Sequence, residues 1–160
     1  MYRLTEIMSN DTPLNLIFEV SFNPAGTLFA VTSGQANQVV MFDARTRSVL
    51  RVYQNSEAGL DNPHGILLTD KHMVVSNAHN GLRSSSFTIY QLNDLSHKPV
   101  SFYETPYQHL REAHSLVLHN NILVVTYSEN AEGPGAVVSY QFDDEAGMIS
   151  GPICRRESFF

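Results

Sequence analysis

Two histidines, His64 and His114, stand at the head of short apolar stretches, and Glu19 heads a third. The three stretches are copies of one pattern. Ala30-Val31-Thr32-Ser33 matches Val74-Val75-Ser76-Asn77 and Val124-Val125-Thr126-Tyr127. Counting back from Val31, Val75 and Val125 places Glu19, His64 and His114 at equivalent starts, if the first copy carries one extra turn residue. Imidazole and carboxylate groups brought together in this way could ligate a divalent metal ion. They could equally act as general base and proton carrier on a polar substrate. The plainer alternative stays open beside these: a histidine that bonds neighbouring backbone to tighten a loop, and a strand glutamate on an outward face. Asp61, Asn62 and Glu112, just upstream, are candidate outer partners of the histidines. Asn77, His79 and Asn80 follow the second apolar stretch and would rim the same place, whereas His72, His97, His109 and His119 fall in turns or loops and read as surface residues.

The elements that must position these groups are short strands. Leu14 to Phe22 is apolar and β-rich and ends in Asn23-Pro24-Ala25-Gly26-Thr27, where proline presets one turn dihedral and glycine supplies a positive φ. Leu28–Thr32, Gln38–Asp43 and Val49–Tyr53 follow as strands between polar turns. The second copy repeats the order with Ile66–Leu68, Met73–Ser76, Phe87–Leu92 and Pro99–Tyr103, and the third with Leu116–Leu118, Ile122–Tyr127, Gly135–Phe142 and Ile149–Cys154. Tyr2 to Met8 alternates and reads as an extra edge strand over residues 1–8. No helical stripe is visible; Glu104 to Glu112 has room for one short turn. Four strands recurring every ~40–50 residues are the mark of a β-propeller blade. The expected fold is therefore all-β: a partial propeller of about three four-stranded antiparallel blades over 14–54, 63–104 and 113–155.

Pro63-His64-Gly65-Ile66, followed by a short turn and Met73-Val74-Val75-Ser76-Asn77, resembles the opening of a blade in lactonase-type propellers. These are the 6-phosphogluconolactonase-like and YVTN-repeat proteins. Ser86–Leu92 and Ala136–Asp143 resemble that family's third strands, and Asp143–Gly147 fits the acidic, glycine-containing hairpin that often follows them. The resemblance implies that the first strand of each blade lines a central channel, and that Glu19, His64 and His114 converge at its mouth. It also implies hydrolysis of a sugar lactone as the candidate activity. The alternative is a non-catalytic propeller module that holds a protein or a small polar ligand.

Composition narrows the partners. The formal net charge is -6 and no basic face is visible, which argues against nucleic acid. No apolar run approaches the roughly 20 residues of a membrane span, and Met1 to Met8 lacks the pattern of a secretory leader. A single cysteine, Cys154, rules out an intrachain disulfide and fits a reducing, cytoplasmic setting. No serine sits in a Gly-x-Ser-x-Gly elbow, Gly133-Pro134-Gly135 is a turn without a following Lys-Ser/Thr, and Asp143-Asp144-Glu145 lacks the calcium-loop pattern. Three blades do not close a ring that normally needs roughly 4–8. Closure is expected from self-association or from further sequence of a longer propeller.

Overall fold

The computed structural model describes residues 14–54, 58–79, 84–128 and 134–157, so the edge strand expected over 1–8, and Asn80, lie outside the described residues. Twelve strands form three separate four-stranded sheets. Blade I contains β1 (Ile17–Phe22), β2 (Leu28–Ser33), β3 (Gln38–Asp43) and β4 (Val49–Gln54). Blade II contains β5 (Pro63–Leu68), β6 (His72–Asn77), β7 (Ser86–Gln91) and β8 (Ser101–Glu104). Blade III contains β9 (Ala113–His119), β10 (Ile122–Tyr127), β11 (Ala136–Asp143) and β12 (Met148–Glu157). Every neighbouring pair is antiparallel and consecutive in sequence, so each blade is a meander. No α-helix occurs among the described residues.

The three valines used to align the copies do hold equivalent places. Val31 faces Val40, Val75 faces Thr88 and Val125 faces Val138 across the second and third strands. The first three strands of blade II are buried along almost their whole length because both faces of a middle blade are covered, each by a neighbour, whereas β11 of blade III alternates between buried and open positions. Ala30, Val39, Met41 and Tyr53 of blade I pack against Ile66, Leu68, Met73, Val75 and Tyr90 of blade II. Val74, Phe87 and Ile89, on the other face of blade II, pack against Leu123, Val125, Val138, Tyr140 and Phe142 of blade III. Polar bonds flank these apolar seams. The Arg51 guanidinium donates to the carbonyls of Leu92 (2.9 Å) and Asp94 (2.8 Å), and the Tyr103 hydroxyl donates to the Gly151 carbonyl at 2.6 Å.

The first strands β1, β5 and β9 lie side by side, with β5 between the other two. Each carries a β-bulge at the same place. Three residue steps lead from Ile17 to Val20 against two from Ser33 to Val31, and the same mismatch recurs at Pro63–Ile66 and Ala113–Leu116. The hydroxyl opposite each bulge closes it: Glu19 N donates to Thr32 Oγ1 (3.1 Å), Gly65 N to Ser76 Oγ (2.8 Å) and Ser115 N to Thr126 Oγ1 (3.2 Å). Two of these hydroxyls then donate to the next blade, Thr32 to the His64 carbonyl (2.6 Å) and Ser76 to the Ala113 carbonyl (2.9 Å). Such bulges re-aim side chains at the ends of strands, which is how the site residues come to face one another.

The close approach of β5 to β9 demands a residue without a side chain. A Cβ on Gly65 would lie 1.9 Å from the His114 carbonyl oxygen and 2.8 Å from Ser76 Oγ. The first of these is backbone held by its own sheet and has no room to yield. Gly65→Ala is therefore expected to lower stability by at least about 2 kcal/mol through overpacking, read as a shift in the urea unfolding midpoint at unchanged slope.

Candidate functional site

The bulges correct the sequence alignment at one of the three candidate residues. Ile17, Pro63 and Ala113 hold equivalent positions, as do Val20, Ile66 and Leu116. The residue matching His64 and His114 is therefore Phe18, and Glu19 matches Gly65 and Ser115. The β1–β2 turn is longer than its counterparts by two residues where one had been allowed, because Phe22 pairs with Phe29 whereas Leu68 pairs with Met73 and Leu118 with Leu123.

Three rings from three blades consequently stand in a row. Phe18 stacks on His64 with centroids 3.7 Å apart and planes inclined by 28°, and His64 meets His114 at 4.9 Å. Glu19, although off this row, borders the same space. Phe18, Glu19, His64, His114 and Ser115 line a cavity of about 80 Å³, room for one or two water-sized groups at ~30 Å³ each. The structure thus brings Glu19, His64 and His114 around one cavity.

Their environments differ. The Glu19 carboxylate accepts from Ile66 N at 3.0 Å and from the Ser115 hydroxyl, tying β1 to β5 and β9. Burial raises its pKa, and these two bonds pull it partly back. His64 is 6% exposed, and neither of its ring nitrogens has a hydrogen-bond partner among the described residues; the same holds for His114 Nε2. Burial, and then repulsion from His114, bring the His64 pKa down from 6.5 to about 4. The imidazole is therefore uncharged at neutral pH. Buried polar nitrogens without partners are rare and costly, and they mark this pair as the unusual feature of the first strands.

The expected outer partners divide. Glu112 Oε2 lies 3.9 Å from His114 Nε2. Asp61 instead holds His79 Nδ1 at 2.8 Å, while His79 Nε2 meets the Ser86 hydroxyl at 2.8 Å. Asn62 receives the Asn37 side-chain oxygen on its backbone N–H at 2.5 Å. Asn77 donates to Ser86, Thr88 and the Gly59 carbonyl. His79 and Asn77 are thus buried braces of the loops above blade II and do not form a rim. Among the described residues no group of three His, Cys, Asp or Glu side chains could hold a metal ion. His64 and His114 alone offer two nitrogens, short of the three or four protein ligands of a zinc site.

Two features escaped sequence reasoning. Phe18 is one; its only signal was a bulge register that cannot be counted from residue types. The other is His72, which the turn assignment put on the surface. It is 4% exposed, begins β6, and its Nδ1 lies 3.1 Å from Asp144 Oδ1, an oxygen that also accepts from the Thr69 hydroxyl at 2.7 Å. Beside it, at the opposite end of the blades from His64, lies a cleft of about 480 Å³ lined by residues that include Leu28, Asp70, Lys71, Gln91, Asn93 and Glu145. Of the other three histidines, His97 and His119 are exposed, whereas His109 is half-buried and bonded to Arg155.

A folded-state pKa below the unfolded one has a defined consequence. Above about pH 6.5 His64 is neutral in both states. As pH falls from there towards 4, the unfolded chain takes a proton that the native ring refuses, and stability drops by up to about 1.4 kcal/mol per pH unit. An NMR titration should find the His64 ring with a midpoint near 4, and a midpoint near 6.5 would contradict its burial.

No protein-family model matches the chain, and no curated protein matches it. Solved structures resemble it in fold. A Bacteroides uniformis protein assigned as a 6-phosphogluconolactonase superposes with TM-score 0.62 at 14% identity, covering 91% of this chain and 44% of that one. The periplasmic gluconolactonase of Pseudomonas aeruginosa gives TM-score 0.62 at 12% identity over 91% of this chain and 41% of that one. Hsv2 of Kluyvelomyces marxianus gives 0.60 at 14% identity over 91% and 50%. The chain thus spans half or less of the length of these structures, and the likeness establishes the fold: a partial, open β-propeller.

Proposed function

We propose that this chain supplies part of the channel mouth of a propeller that hydrolyses a sugar lactone. The observation that carries the reading is the His64–His114 pair, whose three unpaired, buried nitrogens border a polar cavity. The lactonases among the solved structures of similar fold lend support at the level of architecture. In the reaction, a water oxygen bonds to the lactone carbonyl carbon and the acyl carbon–oxygen bond breaks. The water proton passes through imidazole to the departing ring oxygen. His64, uncharged and weakly basic, orients the water or the carbonyl by hydrogen bonding, and His114, less buried and beside Glu112, carries the proton. Glu19, already committed to Ile66 and Ser115, holds the cavity wall.

The size of the cavity favours a second reading. About 80 Å³ admits a carbonyl or hydroxyl group but not a whole sugar ring, so the pair would also serve a non-catalytic module that binds one polar group of a small ligand. The two readings separate in one experiment. With the full chain and a set of aldonolactones, His64→Ala combined with His114→Ala should cut turnover at least about 100-fold. Measurable ligand binding without turnover in the unaltered chain would select the binding module.

The working ring needs more blades than this chain holds. Val137 and Ile153 on blade III, and Ile17, Val20 and Phe22 on β1, are exposed, and among the described residues the Thr126 hydroxyl has no fourth first strand to meet. We therefore propose closure by a second copy or by further propeller sequence. Light scattering should give a discrete dimer mass in the first case; a monomer would leave the longer propeller.

A further inference from the structure

We propose that Phe18 is a positioning residue of the histidine site: stacked on the His64 imidazole, it fixes the plane of that ring and shields one face of it from bulk water. This rests on the His64–His114 reading above and extends it to a residue on another blade.

Three independent observations converge on Phe18. First, the bulge register makes it the blade I counterpart of His64 and His114, so the backbone aims its side chain into the row that the two imidazoles form. Second, its contact with His64 is closer and more nearly parallel than the contact between the two histidines, 3.7 Å and 28° against 4.9 Å and 52°. His64 is thus covered on one face by an apolar ring. Phe18 itself is 38% exposed, so it forms the outer layer between His64 and the channel. Third, a socket is kept for it. A Cβ on Gly34, in the β2–β3 loop, would lie 2.3 Å from Phe18 Cε2 and 2.6 Å from Asn62 Oδ1. Any larger residue there would push the phenyl ring off its seat.

A phenylalanine on an inner strand, exposed by more than a third, adds little to a core. Its place over an imidazole that makes no hydrogen bond gives it a different use. A bare, unbonded ring would be free to rotate and to collect water at both nitrogens. Under Phe18 both nitrogens are buried without a hydrogen-bond partner among the described residues, in a ring that lines the cavity. The titratable groups around the ring are few: His114 from β9, Glu112 beside His114, and Glu19 from β1 with its carboxylate engaged by Ile66 and Ser115. Removing the phenyl ring deletes none of these groups, and it uncovers the His64 face on which the phenyl was stacked. A change in His64 after that removal therefore reports the cover.

The test is a ligand-free NMR pH titration of the labelled full chain, with the His64 signal assigned by its loss in His64→Gln. Phe18→Ala should raise the His64 midpoint by about one pH unit or more as water reaches the ring. Gly34→Ala, which keeps the phenyl group but displaces it, should shift the midpoint in the same direction. Val20→Ala, an exposed apolar change on the same strand, should leave it in place. An unshifted His64 midpoint in folded Phe18→Ala would overturn the proposal. If Phe18→Ala unfolds, the Gly34→Ala titration decides the matter by the same criterion. Because no ligand is present, a chain that proves inert to lactones would sink the proposed activity and leave this result standing.

Discussion

One hydroxyl group, repeated three times, organises the molecule. Thr32, Ser76 and Thr126 each accept the bulge N–H of their own first strand, and two of them donate onward to the first strand of the next blade. A hydroxyl serves here because it is both donor and acceptor on one rotatable atom. It pairs a backbone group that the bulge has taken out of the ladder, and it pairs a carbonyl on a neighbouring sheet that has no ladder with it. At Thr32, valine would fill the same volume and leave the Glu19 N–H and the His64 carbonyl without this partner, at a cost of about 1–3 kcal/mol each. Blade shape and blade order thus depend on the same atom.

That interaction also makes the site. Because the bulges sit at one height, the side chains they project, Phe18, His64 and His114, form a row across three sheets that share no strand pairing. The row is held from behind by Gly65, whose missing side chain lets β5 approach the His114 carbonyl, and at its side by Glu19, which bridges to Ile66 and Ser115. Scaffold residues satisfy their polar groups locally, whereas the imidazoles at the centre do not. The bulge amides are paired consistently, whereas three imidazole nitrogens in one place have no hydrogen-bond partner among the described residues.

The two ends of the blades are built differently. Around His64 the polar groups are few: Glu19, His114 and Ser115 border the small cavity, with Glu112 beside His114. At the other end His72, Asp144 and Thr69 form a bonded cluster between blades II and III, joined by the Lys71–Glu145 ion pair, and the adjoining cleft is larger. His72 and His64 are equally buried, but His72 has a carboxylate partner and His64 has none. The same residue type therefore serves as an interblade fastener at one end and as an unbonded channel group at the other.

Residue order by itself determined the strands, their grouping into three meanders, the repeat and the propeller class, because these follow from short-range alternation and turn chemistry that each segment carries alone. It also singled out His64 and His114, which share a phase with the aligned valines. It misplaced Glu19 by one position and passed over Phe18, because a bulge inserts a residue into the ladder without any sign in composition, and a single-residue slip exchanges one side chain for its neighbour. It put His72 on the surface because a turn is exposed only until another blade packs over it. Which residues meet in the channel was decided by the tertiary structure: three sheets with no hydrogen-bonded edge in common had to dock before Phe18, His64 and His114 could share a cavity.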